Sequence, residues 1–173
     1  MSSSPKVCVQ SLVATTDARP NESVFWRLAK CSDQGMIVDT RISKAARDGM
    51  LQVRPDRAAT VKLVVVALPA GAPQETVSAM QGKGARPATL LELLSLLKAP
   101  LEPAVLERFG GLVALGETFV IKGSQMVAGL AWKPRSSKTI VGLSQPLQYS
   151  IHIEALPRSI TWSRNIAFLG VAE

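Results

Sequence analysis

Basic side chains at regular spacing are the residues of this chain best suited to a chemical role. Arg41, Lys44 and Arg47 recur every three residues, so a short helix would align them along one face. Further cations follow at Arg54, Arg57 and Lys62. Such a row suits phosphate oxygens, because arginine offers a bidentate fork and lysine a point charge. The alternative is a solvated helix face, partly neutralised by Asp39, Asp48 and Asp56.

A second basic cluster lies in a polar stretch that we expect to join two strands. It holds three cations and no acid in six residues: Lys133, Arg135 and Lys138. Arg158 and Arg164 follow, with Glu154 as the one acidic residue of that stretch. Loops at strand ends often carry binding groups, because the sheet holds them in place. We therefore predict a nucleic-acid-binding set made of both clusters, with a solubilising turn as the alternative for the second.

The residue types needed for most enzyme chemistry are scarce. His152 and Glu154 share one face of a predicted strand, but acid/base catalysis also needs a nucleophile or metal that the sequence does not supply. Cys8 and Cys31 lack a CxxC spacing and histidine neighbours, so we predict free thiols and no zinc site. Phosphate-loop, dinucleotide-binding and nucleophile-elbow motifs are absent from the sequence. These features predict a protein that is not an enzyme, with no cofactor, metal or small-molecule substrate.

The overall charge points to acidic partners. Twenty Lys and Arg residues against thirteen Asp and Glu give a formal charge of +7 on 173 residues, which attracts polyanions. The hydrophobic fraction of 47% fits a folded domain and excludes wholesale disorder. Aromatic residues make up 5% of the chain, which weakens recognition by base stacking.

The cellular location is predicted from what the N-terminus and the apolar runs lack. The first residues have no apolar core of a signal peptide, and the longest apolar run, residues 63–69, is only strand-sized. We expect a soluble, cytoplasmic protein, or a virion component if it is viral, that is not secreted and has no transmembrane segment.

The elements that position these residues are predominantly strands. Residues 1–6 form a predicted flexible polar arm, and residues 7–173 a single domain. Before the middle, strands are predicted at residues 7–13, 24–28, 36–40 and 58–68. After it, they are predicted at residues 112–115, 118–121, 126–132, 139–143, 147–155 and 160–171. Gly116-Glu117 has the two-residue spacing of a tight hairpin turn.

The middle of the chain is predicted to be helical. Thr89 and Glu92 form a capping box ahead of a leucine-rich run, and Pro103 is placed to start a second short helix. Together they predict a helical hairpin inserted near residues 88–110. In the strand 147–155, Ile151 and Ile153 face a core, whereas Ser150, His152 and Glu154 face water. We predict Trp26, Trp132 and Trp162 as core or interface anchors, and Phe168 as core.

The fold class that fits this order is β-rich α+β. We expect an antiparallel sandwich or a curved sheet with the helical hairpin inserted, rather than alternating βαβ units.

The function that fits is a non-enzymatic structural or assembly protein. We expect a viral coat- or matrix-type subunit that forms homo-oligomers and contacts RNA or DNA through its basic patches, with an anionic membrane surface as a further candidate partner. The alternative is a small nucleic-acid-binding accessory protein of microbial origin.

Overall fold

One mixed sheet contains all eight strands of the computed structural model, which describes residues 8–16, 23–51, 59–67, 73–98, 108–134, 149–159 and 166–173. The strands are β1 Cys8–Thr16, β2 Ile37–Val38, β3 Ala59–Ala67, β4 Ala85–Pro87, β5 Gly111–Ile121, β6 Ser124–Pro134, β7 Tyr149–Pro157 and β8 Ile166–Ala172. The helices are α1 Val24–Asp33, α2 Thr40–Arg47, α3 Pro73–Gln81 and α4 Leu90–Ser95, which a 3₁₀ turn extends over Leu96–Lys98.

The strand order is β1-β3-β8-β5-β6-β7-β2, and β4 pairs with β8 beside this path. Most neighbouring strands are antiparallel, but β5 pairs with β8 and β2 pairs with β7 in parallel. The prediction of a β-rich α+β fold is therefore confirmed. The wholly antiparallel sheet that we expected is wrong at those two pairs.

Two apolar cores lie on opposite faces of the sheet. Alternate residues of β3 divide between them, with Leu63 and Val65 on one face and Val64 and Val66 on the other, and all four are buried. The first face is covered by α1, α2 and α4, and the second by α3, which contributes Met80. A strand buried on both faces has little polar alternation, so the nearly all-apolar run of residues 58–68 correctly predicted a central strand.

The segment predicted as a strand at residues 24–28 is helix α1. The Ser23 hydroxyl accepts a hydrogen bond from the Trp26 N–H and caps the helix. Val24, Leu28 and Cys31 are buried at spacings of four and three, which is the period of one helix face. Trp26 lies on the opposite face with 63% of its surface exposed, so of its two predicted roles the core is wrong and the interface stays a prediction.

The hairpin predicted at Gly116-Glu117 is also wrong. Both predicted strands belong to the single strand β5, whose register with β6 shifts between Ala114 and Phe119. Gly116 is needed there for close approach, since its N–H donates to the Ala88 carbonyl and a Cβ would lie 2.6 Å from that oxygen. The hairpin turn is instead at Lys122 and Gly123, which both have positive φ, as the favoured two-residue turns require.

The strands predicted at residues 7–13, 126–132 and 147–155 correspond to β1, β6 and β7. Of the strand predicted at 160–171, the structure describes residues 166–171, which belong to β8. The strand predicted at 36–40 is too long: β2 covers only Ile37–Val38, because Asp39 caps α2 and Thr40 begins it. Trp132 and Phe168 are buried, as predicted. The arm 1–6, the strand 139–143, Trp162 and most of the second helix of the hairpin lie outside the described residues. Across the described ranges, no helix has the length and apolar character needed to span a membrane.

A charged network fixes the start of α4. The predicted capping box is confirmed: the Glu92 carboxylate accepts the Thr89 N–H at 2.8 Å, and the Thr89 hydroxyl accepts the Glu92 N–H. Arg86 on β4 donates to both Glu92 oxygens, at 2.6 and 3.1 Å. From β5, Glu117 accepts the Leu90 N–H, and burial, together with the nearby Glu92 charge, raises the pKa of Glu117. These bonds tie α4 to two strands.

We expect Glu92→Ala to lower the free energy of unfolding by about 2 kcal/mol, because it removes the cap and leaves Arg86 without its ion-pair partner. The estimate lies below that for a fully buried pair, since 41% of the Arg86 side chain is exposed. Urea denaturation would measure the change. Asp33→Ala, which removes an exposed carboxylate at the end of α1, is the matched control and should change stability by less than about 0.5 kcal/mol. Equal effects of the two variants would contradict the proposed role of the network.

Candidate functional site

A charged pair covers the free edge of β7 and positions helix α2. The short strand β2 pairs with only two residues of β7, at His152 and Ile153. Beyond that point, the Asp39 N–H donates to the Ile153 carbonyl at 2.8 Å. The Asp39 carboxylate accepts the Ala155 N–H at 3.2 Å, and the Arg41 guanidinium donates to the Ala155 carbonyl at 3.1 Å. Side chains thus replace the missing strand partner at this edge. We call Asp39 and Arg41 the edge clamp.

The two side chains of the edge clamp also bind each other. Arg41 donates from Nη2 to Asp39 Oδ2 at 2.7 Å and from Nε to both carboxylate oxygens at 3.1 Å. The same carboxylate accepts the Arg41 backbone N–H and caps α2. Burial acts to raise the pKa of Asp39, but hydrogen bonds from Arg41 and Ala155 outweigh it and hold that pKa below its ordinary value.

A cleft with cations on its rim lies between α2, the β5–β6 turn and the end of β7. Its volume is about 830 Å³, within the range of ligand-binding cavities. The described residues that define it best are Lys44, Met50, Val120, Lys122, Met126 and Pro157. Arg41 and Asp48 also line it, so its described lining residues include three cations and one carboxylate. We call it the cationic cleft.

The three predicted cations of α2 have different surroundings. All are exposed on the helix, but Arg41 belongs to the edge clamp and the Arg47 guanidinium lies 5.6 Å from the centre of the Phe25 ring. Lys44 lines the cationic cleft and makes no ion pair within the described part of the chain. The three cations therefore do not act as one binding face, and Lys44 is the one of the three that is available to a ligand.

The second predicted cluster is divided between the two ends of β6. Arg158 follows β7 at the cleft end, where its N–H donates to the Gln125 carbonyl at 2.9 Å. Lys133 lies at the other end, where it pairs with Ser150. It is eight residues from Gln125 along β6, about 26 Å at the rise of an extended strand. The other predicted binding residues lie outside the described ranges: Arg54, Arg57, Arg135, Lys138 and Arg164.

Sequence reasoning missed Lys122, which the fold places at the cationic cleft. Its φ of 49° puts it in the left-handed region, followed by Gly123 at 81°. A Lys-Gly pair between two apolar runs was the available signal for this turn. The Gly116-Glu117 pair instead led to a predicted turn six residues too early. Lys122 and Lys44 are far apart in sequence, so only the fold brings them to one cavity.

His152 has a hydroxyl neighbour that the strand periodicity allowed but sequence analysis did not use. Ser150 Oγ lies 3.0 Å from His152 Nε2, on the polar face of β7. A serine nucleophile would also need its histidine oriented by a third group. Among the described residues, no carboxylate hydrogen-bonds to the His152 ring, although Glu154 and His152 both line an open groove beside β7. The geometry supplies one contact of a catalytic triad, not the whole arrangement.

The described residues offer little for thiol or metal chemistry. Cys31 is a free, buried thiol, as predicted, and burial raises its pKa although the Arg27 charge opposes the shift. No group of three His, Cys, Asp or Glu side chains that could hold a metal ion occurs within the described ranges.

Comparisons with models of protein families, with curated proteins and with solved structures found no match.

Because the folded-state pKa of Asp39 is lowered, its ionised form stabilises the protein above about pH 4, and this contribution is lost as pH falls through the folded-state pKa. We expect Asp39→Asn to lower the free energy of unfolding by about 1–2 kcal/mol at pH 7. This is less than for a buried ion pair, because 51% of the Arg41 side chain is exposed. The difference from wild type should shrink below pH 4. Chemical denaturation at several pH values would measure it. Asp48→Asn, at the other end of α2, is the control, and an equal loss there would contradict the clamp.

Proposed function

We propose that this protein is a non-enzymatic structural subunit, of the kind that forms a viral coat or matrix, which self-associates and contacts nucleic acid through the cationic cleft. One observation carries the nucleic-acid part of this proposal. Lys44 from α2 and Lys122 from the β5–β6 turn face one cavity, and neither makes an ion pair in the described part of the chain. A lysine that forms no ion pair within the protein can bind a phosphate without breaking such a pair first.

The mode of contact follows from the other lining groups. No aromatic ring is among the described residues of the cationic cleft, so stacked bases have no platform there. The cations match the phosphate backbone, and Asp48, the one carboxylate among the described lining residues, lies at the exposed end of α2. Binding through such groups is sequence-independent and weakens steeply with salt, because it releases condensed counterions.

Self-association is supported by apolar side chains that the described fold leaves in water. Trp26 and Ile37 are each more than half exposed, and so are Met50 and Val120, which line the cationic cleft. They come from α1, β2, the segment after α2, and β5, so they do not form one continuous stripe in sequence. Contiguous patches of such residues are typical of surfaces that bind other proteins or further copies of the same chain.

Replacing both cleft lysines with alanine should weaken binding to a duplex and reduce the slope of log K against log salt by about 2, since each phosphate contact contributes about 0.9. Fluorescence anisotropy across a salt series would measure the slope. The matched control, Lys62→Ala with Lys83→Ala, removes two exposed lysines on β3 and before β4, and should leave the slope unchanged.

A third variant tests the second predicted cluster. Joint replacement of Lys133, Arg135 and Lys138 by alanine should alter the slope less than the cleft pair does, with thermal stability nearly unchanged. If this triple variant alone abolishes binding, the interface includes that cluster and the assignment to the cationic cleft is wrong.

Light scattering at micromolar concentration separates the two functional classes. A structural subunit should form large oligomers without nucleic acid, because its association depends on protein surfaces. The alternative, a small nucleic-acid-binding accessory protein, would stay monomeric or dimeric and still bind RNA or DNA with a steep salt dependence. Small particles at every salt concentration, with intact binding, would therefore replace our proposal with that alternative.

A further inference from the structure

The two edges of the sheet are protected very differently. At one end, β2 is two residues long, and the edge clamp occupies the backbone groups of Ala155 beyond it. At the other end, β1 is nine residues long and pairs with β3 on one side, while no described strand pairs with its outer side. The sequence of β1, CVQSLVATT, contains no charged residue and no proline. Charges and prolines are the usual devices that keep an edge strand from pairing.

An antiparallel strand at an edge offers hydrogen bonds at every second residue. In the β1–β3 ladder, alternate residues of β1 exchange bonds with β3, and those between them direct N–H and C=O groups outward. A nine-residue strand therefore presents four or five such residues, about the number that a short two-stranded ladder needs. Another extended strand satisfies these groups completely.

The identity of that strand follows from which edges a second copy can offer. In the described sheet, β3, β8, β5 and β6 already have neighbours on both sides. The edge at β2 and β7 is too short and is blocked by the edge clamp. The remaining long edge of a second copy is its own β1. Antiparallel pairing of β1 with β1 is self-complementary about a two-fold axis, so it closes as a dimer instead of growing into a fibre.

We infer that two copies of this chain pair through β1 in antiparallel register, which joins their sheets into one continuous sheet. This inference rests on the self-association in the proposed function and names the surface that begins it. The interface uses backbone hydrogen bonds along β1 and leaves the cationic cleft, at the far side of the strand order, open to nucleic acid.

Hydrogen exchange resolved by residue tests this pairing on the unmodified protein, without nucleic acid. In the dilute monomer, alternate β1 amides should exchange quickly. In the associated protein all β1 amides should be protected, with the formerly fast ones slowed at least about tenfold. Amides of β5, an interior strand, are the internal control and should not change.

Two results would overturn the inference. If the protein associates but the fast β1 amides keep their monomer rates, another surface is used and the proposed self-association stands. If alternate β1 amides are already slow in the monomer, the edge is covered within one chain. A protein that stays monomeric at every concentration overturns both proposals.

Proline substitutions provide an independent test. Consecutive N–H groups of a strand point to opposite edges, so one of Ser11→Pro and Leu12→Pro removes a bond to β3 and the other removes only an outward donor. The first should be the less stable of the two. The second should keep the wild-type melting temperature at high dilution and associate at least about tenfold more weakly. Wild-type association by that folded variant would contradict the pairing, and hydrogen exchange decides if neither variant folds.

Discussion

The carboxylate of Asp39 holds helix α2 against the free edge of β7, and the cationic cleft depends on this attachment. It caps the helix, pairs with Arg41 and accepts the Ala155 N–H. Helix α2 has eight residues, and its buried side chains are Ile42 and Ala45, so it has little packing of its own to fix its place. Without the edge clamp, no hydrogen bond among the described residues would tie α2 to the sheet, and Lys44 would lose its fixed position opposite the β5–β6 turn.

The arginines and the lysines of the described ranges make different contacts. Arg41 and Arg86 bind carboxylates, and Arg47 and Arg108 lie over phenylalanine rings, at 5.6 and 5.4 Å. The planar guanidinium is suited to both kinds of contact. Several lysines in the described ranges make no such contact: Lys44, Lys62, Lys83, Lys122 and Lys133. The formal charge of +7 already counts the paired carboxylates, so for a polyanion the positions of these lysines matter more than the total.

Residues close together in sequence predicted the parts of the fold that depend on contacts between such residues. The capping box at Thr89 and the buried run of β3 follow from nearby residues alone. At α1 the apolar cluster of Val24 and its neighbours led to the prediction of a strand, although Ser23 as a cap and the spacing of the buried residues both indicate a helix. The parallel pairing of β5 with β8 brings together strands far apart in sequence, and no local pattern encodes it. The cationic cleft could not be predicted for the same reason: Lys44 and Lys122 meet only through the packing of α2 beside the β5–β6 turn.

Charge and self-association need not oppose each other in this fold. In a dimer joined at β1, each cleft would lie near β6, with β3, β8 and β5 between it and the shared edge. Nine strand spacings of about 4.8 Å would separate the two β6 strands, which is about 43 Å. The Debye length at physiological salt is about 8 Å, so repulsion between the clefts would be almost entirely screened. A polyanion long enough to reach both clefts would then bridge the dimer. Basic proteins that bind at such spacing gain affinity from two weak contacts on one strand.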